Sequence, residues 1–206
     1  MVRSETSSEG LVAISLDRPD KANALTPEMI EALIAAVEAA TTAGARALVL
    51  TGTGKVFSAG ADLDAARAGL AVSPLWEALS GAIAAAPALT IAALNGTAAG
   101  GALGMVLACD LRIAVPSAKI FYPVMRLGFL PQPSDPRRLA ALAGPSRAAM
   151  ILMAGQKITA DEALTWGLID RYSWLVSDPG VTRKDGLKHR GLPLDWEGNR
   201  KPFWNA

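Results

Sequence analysis

Apolar residues follow two periods along this chain. After Thr26 they recur at helical spacing, with Met29, Ile30, Leu33, Ile34 and Val37 on one stripe. Thr26 offers a capping hydroxyl, Pro27 suits the first helical position and Glu28 favours the positive helix end. The pattern therefore predicts a helix from Pro27 that stops near Gly44. A second helical face, Leu75, Leu79 and Ile83, follows Ser73-Pro74. Shorter helices are predicted over residues 101–108, 136–142, 146–154 and 160–166. The other apolar residues come in short, mostly apolar runs at Leu11–Leu16, 46–51, Leu89–Leu94 and 110–115. Such runs read as strands, and that at residues 46–51 as one of the buried parallel kind. Strand and helix alternate, so the expected class is α/β with mainly parallel strands. Residues 1–10 are polar and lack the charged-then-apolar pattern of a signal segment, and Leu11–Leu16 reads as the first strand.

Composition narrows this picture. A chain of 206 residues that is 51% hydrophobic and 19% charged can bury a core of one domain. That composition changes after Asp170. Residues 171–206 carry Trp174, Trp196 and Trp204 among Gly, Pro and mixed charges, and a single alanine, Ala206. The expected division is a core over 1–170 and a tail of loop or disorder over 171–206. A formal net charge of +1 implies no basic face, so nucleic acid is not an expected partner. No apolar run approaches the roughly 20 residues of a membrane span. Cys109 has no partner for an internal disulfide, which fits a reducing cytoplasm. His189 is the only histidine, and no ligand cluster is evident, so no metal site is expected.

Two segments carry the candidate chemistry. The first runs from Val49 through Gly52, Gly54, Ser58, Gly60 and Ala61 to Asp62 and Leu63. The second runs from Leu94-Asn95-Gly96 through Gly100-Gly101 to Cys109-Asp110. Each leaves an apolar strand and turns on small residues toward a helix. Small residues admit a ligand close to the backbone, and a helix start offers unpaired N–H groups. Two N–H groups aimed at one point would stabilise charge on a carbonyl oxygen. Taken singly, either segment is also compatible with a structural turn.

Together, GKVFSAGADL (54–63) and NGTAAGGALGMVLACDLRIA (95–114) resemble the paired signature of the crotonase, or enoyl-CoA hydratase/isomerase, family. ISLDRPDKANALTPEM (14–29) is similar to that family's first strand and its turn toward coenzyme A, and the resemblance covers residues 10–170. It implies a spiral of ββα units, assembled as a trimer or hexamer, acting on acyl-CoA thioesters. Coenzyme A would be part of the substrate, and no other cofactor is implied. The resemblance places the oxyanion N–H groups at Ala61 and Gly101. It places contacts to coenzyme A or substrate at Lys21, Ala22, Ala24, Ala59, Ala61, Asp62, Leu63 and Gly101.

The family's two catalytic glutamates correspond to Gly104 and Val124 here, and neither residue can move a proton. Asp135 is the remaining candidate, because an aspartate lies near the equivalent place in the family's aryl-CoA dehalogenases. The competing reading is that Asp135-Pro136 only starts a helix. Tyr122 and Cys109 are expected in the core, and Asp64 on the surface. The functional expectation is an acyl-CoA-processing enzyme of hydratase/isomerase type, with a non-catalytic acyl-CoA binder as the alternative.

Overall fold

The computed structural model describes residues 1–173. His189 and all of the expected tail beyond Ser173 lie outside the described residues. In chain order the elements are β1 (Val2–Thr6), β2 (Leu11–Leu16), α1 (Pro27–Thr42), β3 (Ala47–Gly52), β4 (Val56–Ser58), α2 (Leu63–Arg67), α3 (Leu75–Ala85), β5 (Leu89–Leu94) and β6 (Thr97–Ala99). They continue with α4 (Leu103–Ala108), β7 (Leu111–Ala114), β8 (Lys119–Phe121), α5 (Asp135–Ala143), α6 (Pro145–Leu152), β9 (Ile158–Thr159), α7 (Ala160–Thr165) and β10 (Arg171–Tyr172).

The larger sheet has the order β1-β2-β3-β5-β7-β10 and the smaller one β4-β6-β8-β9. Apart from antiparallel β1/β2 and β8/β9, neighbours are parallel. The pairs β3/β4, β5/β6 and β7/β8 each place a longer strand in the large sheet and a three-residue strand in the small one. Helical chain follows each pair. This is the ββα spiral implied by the resemblance.

Burial explains the apolar runs. Leu48, Leu50, Ala92 and Leu94 point into the main core with Met29, Ile30, Leu33 and Val37 of α1 and with Trp76, Leu79 and Ile83 of α3. The alternate residues Val49, Ile91, Ala93 and Ile113 form a second buried cluster on the opposite face. Both faces of β3 and β5 are covered, so neither strand alternates with polar residues.

Two expectations give way. The polar N-terminus forms β1, joined to β2 by a turn in which Ser7 Oγ accepts the Leu11 N–H at 3.2 Å. An edge strand needs little apolar surface; Val2 is half-buried and the rest of β1 is exposed. The two small-residue loops also contain strands β4 and β6, too short to show a period. β10 begins at the composition break and pairs with β7.

Candidate functional site

The first turn is tied to the first small-residue segment by Asn23. Asn23 is fully buried at φ 52°, a left-handed conformation that asparagine tolerates. Its side-chain amide donates to the carbonyls of Thr53 (2.9 Å) and Val56 (2.8 Å), and its Oδ1 accepts the Arg18 N–H at 2.8 Å. Ser58 Oγ–H donates to the Asn23 carbonyl at 2.8 Å and accepts the Gly60 N–H at 3.1 Å. The Ala59 N–H donates to the Ala22 carbonyl at 3.0 Å. Lys21, Ala22 and Ala24 are thereby brought beside Ala59 and Ala61. Lys21, Ala59 and Leu63 are exposed, whereas Ala22, Ala24, Ala61 and Asp62 are half-buried. Sequence reasoning did not single out Asn23. The available signal was an asparagine in a Pro-Asp-Lys-Ala-Asn turn, a residue type suited to left-handed backbone.

Leu25 forms a parallel bridge with Ala61: its N–H donates to Gly60 O at 2.7 Å, and its carbonyl accepts the Asp62 N–H at 2.8 Å. In such pairing the bonds go to the residues flanking the partner, so Ala61's own N–H points away from Leu25. Asp62 serves structure. Its carboxylate caps α2 through the Asp64 and Ala65 N–H groups and accepts the Arg18 guanidinium at 2.8 Å. The Arg18 hydrogen bond, followed by the bond from the Ala65 N–H, holds that carboxyl below its ordinary range.

The two segments meet backbone to backbone. Gly60 has φ 90°, and a Cβ there would lie 2.7 Å from Ala99 O and 3.3 Å from Gly100 Cα. Gly100 is left-handed at φ 56°, with Gly60 Cα as the nearest atom to its Cβ position at 3.8 Å. Only glycine permits this approach, and Ala61 and Gly101 follow immediately on either side of it. Gly101 lies in the 3-10 turn Gly100–Ala102 that leads into α4, where leading N–H groups lack an intrahelical acceptor. The Trp76 ring stands 3.0–3.1 Å from Gly101's Cβ position, fixed by its indole N–H donating to Leu70 O at 2.7 Å. Behind the loops, Asn95 Oδ1 accepts the Gly52 N–H at 3.1 Å and its amide donates to Gly54 O at 2.9 Å.

A carboxyl group lies next to α4, although Gly104 and Val124 provide none. Ser134 precedes α5 as the cap residue, without a side-chain capping bond, and Asp135 is the first helical residue. Asp135-Pro136 does start a helix, but Asp135 is its first residue and not its cap. Its side chain turns inward and is fully buried. Tyr122 O–H donates to Asp135 Oδ2 at 2.6 Å, while Oδ1 has no hydrogen-bond partner among the described residues. Burial chiefly raises the Asp135 pKa to about 6; the nearby Glu77 charge adds to this, while the Tyr122 hydrogen bond and Arg138 oppose it. Burial, then the Asp135 charge, pushes the Tyr122 hydroxyl well above its ordinary value. Glu77 accepts both the Ser134 N–H, at 3.2 Å, and the Ser134 hydroxyl. Sequence reasoning also missed Glu77, which looks like an exposed position of α3. Cys109 is buried, as expected, and desolvation pushes its thiol up to about 12. Asp64 is exposed and pairs with Arg67.

Among the described residues, no helix is long and apolar enough to cross a membrane. The family model described as enoyl-CoA hydratase/isomerase matches residues 6–176. A probable enoyl-CoA hydratase of Mycobacterium leprae (strain TN) is 38% identical over 210 residues, spanning 97% of this chain and 85% of the relative. A 4-chlorobenzoyl coenzyme A dehalogenase of an Arthrobacter species is 34% identical over 174 residues, spanning 80% of this chain and 63% of the relative. Among solved structures, an enoyl-CoA hydratase from Bacillus anthracis matches with a TM-score of 0.77 at 33% identity, covering 84% of this chain and 69% of that one. This chain therefore belongs to the enoyl-CoA hydratase/isomerase family.

Proposed function

We propose that this protein is an acyl-CoA-processing enzyme of the enoyl-CoA hydratase/isomerase type. In this reading the thioester carbonyl lies between the N–H groups of Ala61 and Gly101. The observation that carries it is the close approach of Gly60 to the Ala99-Gly100 backbone, one residue before Ala61 and Gly101 respectively. When a proton leaves the acyl α-carbon, negative charge grows on the carbonyl oxygen. Two fixed donors would stabilise that charge, and losing one such donor typically costs about 3 kcal/mol. Asp135 is the proposed proton carrier. Lys21, Ala22, Ala24, Ala59, Asp62 and Leu63 form the proposed rim for coenzyme A.

Calorimetric binding of butyryl-CoA and of its thioether analogue, which lacks the carbonyl, tests the reading. The thioester should bind about tenfold more tightly, as expected for two added hydrogen bonds of modest net value. Equal affinities would overturn the role of Ala61 and Gly101, and no binding of either would overturn the acyl-CoA reading itself. A second reading, a non-catalytic acyl-CoA binder, is favoured by Gly104 and Val124, which supply no proton carrier. Conversion of 3-butenoyl-CoA to crotonyl-CoA, followed by the rise in ultraviolet absorbance, separates the two, because it needs a single proton carrier.

The same reading takes the protein as a homo-oligomer, trimer or hexamer. Light scattering on the eluted protein measures the state directly.

A further inference from the structure

Asp135 occupies space that a side chain on α4 would otherwise claim. Its Oδ1 and Oδ2 lie 3.3 and 3.6 Å from the Cβ position at Gly104. Gly104 is itself buried in a helix, where glycine is a poor choice unless something fills its place. One carboxyl oxygen is tied to Tyr122, and the other, facing Gly104, is buried without a partner. A buried polar atom left unsatisfied is costly and calls for an explanation. The elements packed around this carboxyl contribute few other charges. Arg138 lies one turn along α5, and Glu77 reaches it from α3 while holding Ser134. Tyr122 O–H also accepts the Gln132 N–H at 3.4 Å, which helps fix the phenol.

We propose that Gly104 and Tyr122 form a socket that presents Asp135 Oδ1 to the acyl α-carbon, with Gly104 as the gap, Tyr122 as the positioning residue and Asp135 as the sole proton carrier. This rests on the thioester reading above. In the step, Asp135 carboxylate takes a proton from C2 of the thioester. The C–H electron pair becomes the C1–C2 π bond, and the carbonyl π pair moves onto oxygen beside Ala61 and Gly101. The proton then returns from the carboxyl group to carbon, at C2 for a saturated acyl group or at C4 for a 3-enoyl group. No oxidant, reductant or co-reactant is consumed. The arrangement supplies a carboxyl from α5 at the face of α4 where Gly104 provides none.

The test measures two readouts of C2 proton removal by the full chain: deuterium entry from D2O into butyryl-CoA, and conversion of 3-butenoyl-CoA to crotonyl-CoA. Asp135→Asn should lower both by about 100-fold or more and leave butyryl-CoA affinity unchanged. Tyr122→Phe removes a hydrogen bond to the ionised carboxyl. It should move the midpoint of the acid limb of the pH–rate profile upward by about one unit, with affinity unchanged. A Tyr122 that merely packs would leave that midpoint where it is. Gly104→Ala places a methyl against Oδ1 and should slow both reactions about tenfold or more, read at a temperature where a thermal melt shows the variant folded. Wild-type binding of butyryl-CoA without either reaction would overturn the socket and leave the thioester reading intact. An unmoved midpoint in Tyr122→Phe, together with an unimpaired Gly104→Ala, would do the same. Failure of the wild type to bind any acyl-CoA would instead remove the reading beneath it.

Discussion

Replacing Asp135 with asparagine should exchange activity for stability in a pH-dependent way. The Asp135 pKa is raised from 3.8 to about 6, mainly because burial strips water from the charged form. That is roughly 2 units at about 1.4 kcal/mol each, so the ionised carboxyl should cost the folded state about 3 kcal/mol. The sign follows from proton counts. Between the two values the folded protein keeps this proton and the unfolded chain has lost it, so stability falls as pH rises from about 4 to about 6. Below that window both states are protonated and the cost is absent; above it both are ionised and the cost is complete. Asparagine keeps the shape without titrating, and its amide carbonyl can still accept the Tyr122 O–H. Urea unfolding of both proteins from about pH 4 to pH 8 should therefore show the asparagine variant gaining up to about 3 kcal/mol relative to wild type across the range. All other carboxyl groups are common to both proteins and cancel in the difference. Parallel stability curves would refute the claim that this carboxyl is strained by burial.

Asn23→Ala should cost about 2–4 kcal/mol in urea unfolding, because the Thr53 carbonyl loses its side-chain donor, the Val56 carbonyl keeps only Asn95, the Arg18 N–H loses its acceptor and the left-handed backbone loses a tolerant residue. Loss of less than about half a kcal/mol would mean that the first turn is held by other contacts. Gly60→Ala must displace the Ala99 carbonyl, 2.7 Å from the new methyl, at a backbone angle that disfavours side chains. It should weaken butyryl-CoA binding at least about tenfold, and unchanged affinity would show that the loop contact does not set the thioester site. Cys109 should resist thiol reagents in the native protein and react on unfolding, since burial pushes its pKa to about 12. Rapid native labelling would show that α4 opens readily.

The sequence by itself determined the class of fold and the main helices. Their local rules were complete: the Met29-Ile30-Leu33-Val37 stripe behind Thr26-Pro27 forms α1, and Thr26 accepts the Met29 N–H as its cap. The buried runs at residues 46–51 and Leu89–Leu94 likewise became central strands, since only covered sheets tolerate such runs. The small-residue segments were legible because glycine at Gly60 and Gly100 records a backbone approach in the residue type itself. β1, β4 and β6 were not legible, because an edge strand needs few apolar residues and three residues show no period.

Tertiary structure alone decided the arrangement beside α4. In sequence, Gly104 marks the loss of a carboxyl group, Asp135-Pro136 reads as a helix start and Tyr122 reads as core. Only the packing of α5 against α4 brings all three together, with the Asp135 carboxyl 3.3 Å from Gly104's missing Cβ and 2.6 Å from the Tyr122 hydroxyl. The physical reason is that a side chain's role depends on the atoms it meets across space. No local pattern encodes the meeting of residues 104, 122 and 135.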